Sequence, residues 1–80
     1  MDNLLTRDGR VPKNKWVVLP YSGGRPVSKH QFKSSAMDKA LMKTYGTGKR
    51  YVVCEIMRAP SGKAFLAIAY DTRREADASR

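Results

Sequence analysis

Ser28 and His30 stand two residues apart in a segment that reads as extended, so a hydroxyl and an imidazole share one face. That is the start of a nucleophile and base pair, but no acid nearby would orient the ring, and no catalysis is expected. Tyr45-Gly46-Thr47-Gly48-Lys49-Arg50 has the look of a phosphate loop and fails the test. The signature needs a glycine where Lys43 stands and a Ser or Thr where Arg50 stands, and the segment leads into a strand rather than a helix. A turn is the simpler reading. One cysteine, Cys54, and one histidine, His30, exclude an internal disulfide and a four-ligand zinc cage within one chain. The acids Asp38, Glu55, Asp71, Glu75 and Asp77 show no paired spacing. No catalytic residue, metal ligand or cofactor is therefore expected.

What the chain has in quantity is positive charge: 16 Lys and Arg against 7 Asp and Glu, a net +9 over 80 residues. The excess is local. Between residues 9 and 54, Arg10, Lys13, Lys15, Arg25, Lys29, Lys33, Lys39, Lys43, Lys49 and Arg50 face a single acid, Asp38. A one-signed field on a small body attracts polyanions and speeds their encounter. The candidate contacts are Lys29, Lys33, Lys39, Lys43, Lys49 and Arg50, with Arg10, Lys13 and Lys15 as a basic arm. Nucleic acid or a ribonucleoprotein is the natural partner.

The elements that must position these residues follow from patterning. Residues 1–14 hold Asp8-Gly9-Arg10 and Val11-Pro12 and read as a flexible arm or irregular strap. Lys15 to Leu19 is a first strand, stopped by Pro20, and Tyr21-Ser22-Gly23-Gly24 turns into a polar second strand, Arg25 to Phe32, suited to a sheet edge by Pro26 and its charges. Ser34 and Ser35 mark a helix start ahead of Ala36 to Tyr45, with Met37, Ala40, Leu41 and Tyr45 as its apolar face and Gly46 as its terminator. Arg50 to Arg58 and Lys63 to Tyr70 form a hairpin around Ala59-Pro60-Ser61-Gly62. In the tail, residues 71–80, Thr72 to Glu75 is a capping box able to open one helical turn. The expectation is one α+β domain over residues 15–70: a ββαββ antiparallel sheet with one helix on one face and flexible terminal tails.

A single helix covers a single face. With Val52, Cys54, Ile56, Leu66 and Ile68 beneath it, the other face presents Trp16, Tyr51 and Phe65 beside Val53 and Met57, more apolar than solvent tolerates. The terminal segments, a symmetric homodimer through that second face, or a partner would cover it.

No run approaches the roughly 20 apolar residues of a membrane span, and Met1-Asp2-Asn3-Leu4-Leu5 is too short and acidic for a secretory signal. No membrane is expected, and the expected compartment is the cytoplasm. In element order, size and charge, residues 15 to 70 are similar to small strand-strand-helix-strand modules. They also resemble compact proteins with which bacterial viruses disable host complexes, including some inhibitors of CRISPR surveillance complexes. That resemblance implies an alternative function: an inhibitor or adaptor, phage-encoded, that blocks the nucleic-acid-binding site of a host assembly.

Overall fold

A computed structural model describes residues 4–73 of the chain. Five elements follow in the expected order: β1 (Trp16–Pro20), β2 (Ser28–His30), α1 (Lys33–Thr47), β3 (Tyr51–Arg58) and β4 (Ala64–Asp71). The strands make one antiparallel sheet in the order β2-β1-β3-β4, and α1 lies across β2, β1 and β3. Because β1 is antiparallel to both neighbours, β2 and β3 run parallel, and α1 is the crossover between them.

Local chemistry explains most boundaries. Gly23 and Gly24 take φ of 101° and 112°, values closed to most side chains, and the Gly23 N–H donates to the Pro20 carbonyl at 3.1 Å. The second strand is shorter than its sequence suggests, because only Ser28–His30 pair with β1 and Pro26 has no N–H for the ladder. The β3–β4 turn closes as Gly62 donates to Ala59 and Ala59 to Lys63, each at 2.8 Å. Farther along the hairpin, Cys54 faces Ile68 while Val53 faces Tyr70, leaving a bulge at residue 69. Residues 4–15 are irregular, with a turn in which Thr6 N–H donates to the Arg10 carbonyl and the Thr6 hydroxyl to Asp8. Residues 1–3 of the expected arm and 74–80 of the expected tail lie outside the described residues.

The faces of the sheet are the reverse of those expected. Val18, Tyr51 and Val53 pack with Ala36 and Ala40 of the helix, joined by Trp16, Met37 and Tyr70. Trp16 and Tyr51 are therefore not on an exposed face, and Tyr51 keeps only 7% of its surface. Phe65 lies on the helix side too, opposite Met57, but toward the hairpin tip, where it is exposed. Cys54 sits on the other face with Val17 and Ile56. That face is covered along β1 and β3, where Val17 is 0% exposed and Cys54 and Ile56 are buried, and open at β4, where Ile68 is exposed. The segment before β1 is tied to β3 where the Ile56 N–H donates to the Lys15 carbonyl at 2.8 Å, and Leu4, Leu5 and Pro12 in that segment are half-buried. The part of the second face left open for a partner is thus confined to its β4 end.

The helix also departs from the pattern of its sequence. It starts at Lys33, with Phe32 at the N-cap and no side-chain cap, so Ser34 and Ser35 are inside the first turn. It buries Ala36, Ala40 and Thr44, while Leu41 is half-buried and Tyr45 exposed. Gly46 lies within it, and Gly48, at φ 73°, ends it in the left-handed conformation that glycine adopts without strain.

A buried polar knot locks the helix to the sheet. The Thr72 hydroxyl donates to the Tyr51 carbonyl (3.0 Å) and accepts from the Tyr51 N–H (2.8 Å). Its remaining lone pair takes the Thr44 hydroxyl proton at 2.6 Å, so each of these groups is satisfied. Thr72→Val leaves the buried Tyr51 N–H and Thr44 hydroxyl without that acceptor and is expected to cost about 1–3 kcal/mol. Thr44→Val removes one donor only and should cost less, about 1 kcal/mol, in the same thermal or urea denaturation series.

Candidate anion-binding edge

Rotation of α1 decides where its lysines go. Ala36, Ala40 and Thr44 form the inward line, and Thr44 leans toward Thr72 on the β4 side. At about 100° per residue, Lys39 and Lys43 stand on the opposite flank, over the short edge strand β2. Both are half-buried along their stems, with Asp38 exposed on the helix crest. Under that flank β2 presents Ser28 and His30, whose Oγ and Nε2 are hydrogen-bonded at 2.8 Å, while Lys29 leaves the other face of the same strand. No carboxylate among the described residues orients the His30 ring, so the pair lacks the group that fixes a catalytic tautomer.

Phe32 joins β2 to α1 and is 62% exposed, an aromatic residue next in the chain to Lys33 and close to Lys29 and His30 in sequence. Behind it the half-buried Trp16 carries two ammonium groups, Lys15 at 5.5 Å and Lys33 at 6.0 Å from the ring centre. The first-turn N–H groups of α1 have neither a side-chain cap nor a first-turn acid, so the positive helix end opens on the same corner. Arg25 adds an exposed charge in the loop leading to β2. The signal for this corner in the sequence is Lys29-His30-Gln31-Phe32-Lys33, where cations and an aromatic interleave; charge alone does not point to Phe32.

The other expected contacts are engaged elsewhere. Arg10 faces Asp8 at 3.5 Å, and Lys15 pairs with Glu55 at 2.9 Å. Arg50 holds Asp71 through two parallel N–H bonds and stacks on Tyr21, 3.5 Å from the ring centre. It is a strut between the first turn and the end of β4 rather than a free cation. Lys13 is exposed in the N-terminal segment, and Lys49 follows the helix C-terminus, away from the Phe32 corner. Among the described residues, then, Lys29, Lys33, Lys39 and Lys43 have no ion-paired acid and gather along one edge. Cys54 is buried, which pushes its thiol up and leaves it unreactive.

Among the described residues no cluster of His, Cys, Asp or Glu could hold a metal ion, and no helix is long and apolar enough to cross a membrane. No protein-family model, curated protein or solved structure matches the chain.

The hydrogen bonds from Arg50 hold the Asp71 carboxyl below its ordinary range. The unfolded chain therefore protonates first, and the stabilisation, present above about pH 4, is lost as pH falls through the lower folded value. Asp71→Asn should lower the melting temperature at neutral pH and flatten its fall toward pH 3, leaving a smaller slope from Asp8, whose carboxyl is lowered by the Thr6 hydroxyl.

Proposed function

We propose that the chain is a non-enzymatic binding module that takes the phosphate backbone of a nucleic acid along its β2 edge. The observation that carries this reading is the set Lys29, Lys33, Lys39 and Lys43, without an ion-paired carboxylate among the described residues and gathered around one edge strand and one helix flank. Ammonium groups of this kind release counterions from a polyanion and so bind without reading sequence. The exposed Phe32 favours a single strand, because an unpaired base offers it a face to stack on and a duplex does not. The buried lone thiol and a nucleic-acid partner both fit the cytoplasm.

Fluorescence polarisation with a labelled single-stranded oligonucleotide and the matching duplex tests this. Affinity is expected to fall steeply as salt rises. Joint Lys39→Ala and Lys43→Ala substitution should weaken binding to all sequences alike and reduce the salt slope by about one for each phosphate no longer neutralised. Phe32→Ala should cost about 1–3 kcal/mol on the single strand and much less on the duplex. No detectable binding of either oligonucleotide at low salt overturns the reading.

A further inference from the structure

The two edges of the sheet are built on opposite plans. The β2 edge is three residues long, follows Pro26, carries Lys29 and is overlain by the helix. Each of those features discourages another strand from adding to it. The β4 edge has none of them. It runs for eight residues as Ala-Phe-Leu-Ala-Ile-Ala-Tyr-Asp, without proline, glycine or any charge before Asp71. Its inner side pairs with β3, and among the described residues no backbone hydrogen bond reaches residues 64–69 from the outer side. Ile68 is 62% exposed on one face of this edge and Phe65 is exposed on the other. At about 3.3 Å per residue, the open row of N–H and C=O groups over residues 64–69 is about 20 Å long.

We propose that β4 is the seam of a homodimer, in which two copies pair antiparallel to give one continuous eight-stranded sheet. Three features favour a second copy as the occupant. The strand is uncharged along its run and bounded by opposite charges, Lys63 before it and Asp71 at its end. Asp71 is already held by Arg50, so what two copies share is the uncharged run itself, along which no like charges meet. A two-fold axis near Ala67 sets Leu66 of each copy toward Ile68 of the other on the face away from the helix, where both side chains lie. The alanines at 64, 67 and 69 leave room for the backbones to approach. This axis stands perpendicular to the sheet, so both helices lie on the same face and run antiparallel, with the two β2 edges at the far ends.

The seam stands independently of nucleic-acid binding, and salt separates the two. Two chains of +9 repel, so screening should tighten the dimer, whereas it weakens contact with a polyanion. Sedimentation equilibrium of the full chain at about 100 μM, enough to saturate a contact of micromolar affinity, is expected to give twice the 9.0 kDa chain mass. The dimer fraction should rise between low and high salt. Ile68→Lys, at a site already exposed, should abolish the dimer and leave the far-UV spectrum unchanged. Hydrogen exchange on the unmodified chain supplies a second reading, with protection at residues 64–69 that grows with concentration. A chain that stays at its monomer mass at both salts, an Ile68→Lys variant that dimerises as before, or concentration-dependent protection confined to other strands overturns the proposal.

Discussion

Two alanines lying against two valines set the terms for the rest of the molecule. Ala36 and Ala40 meet Val18 and Val53 with side chains so short that the helix backbone rests close to the sheet. Close packing of this kind admits one rotation of the helix, since turning it would drive Met37 or Lys39 into a space sized for a methyl group. That rotation puts Thr44 where it can reach Thr72 and swings Lys39 and Lys43 out over β2. The gathering of cations at one edge is thus a consequence of core packing, and the surface residues had no part in choosing it.

Most of the architecture was legible in the sequence for reasons that can be named. Aromatic and β-branched runs marked β1 and β3, paired glycines and Pro60 with Gly62 marked the turns, and one helical segment lay between. The orientation of the elements was not legible. Both faces of the β3–β4 hairpin carry apolar residues, so alternation separates the faces without saying which meets the helix. On the helix, Leu41 and Tyr45 outweigh Ala36 and Thr44 in any hydropathy pattern, yet the smaller pair is buried because the helix lies so near the sheet. Serines are strong caps in isolation, but Phe32 already stands at the boundary, and the two serines fall within the first turn.

The same distinction governs the charges. Lys29, Lys33, Lys39 and Lys43 could be read from the sequence as an excess, and among the described residues none of them has an ion-paired acid, with Asp38 exposed on the helix crest. Arg50 looked equivalent to its neighbour Lys49. Its carboxylate partner lies 21 residues later and becomes a neighbour only when β3 and β4 pair. Pairings made by tertiary closure leave no periodic trace along the chain, so counting charges overestimates the free cations at Lys15 and Arg50 alike.

The crossover from β2 through α1 to β3 bears on the order in which the molecule can assemble. The helix and the β3–β4 hairpin close short loops and can form from neighbours in the chain, but β1 waits for Tyr51–Arg58, and β2 gives it only three residues of ladder in the meantime. A ribosome making this protein releases the sticky Trp-Val-Val-Leu stretch well before its central partner exists. The short β2 turn-back and α1, which packs on β1, are made before β3 and can shield that stretch, and docking of β3 against β1 is the step at which slow folding or early clumping would begin.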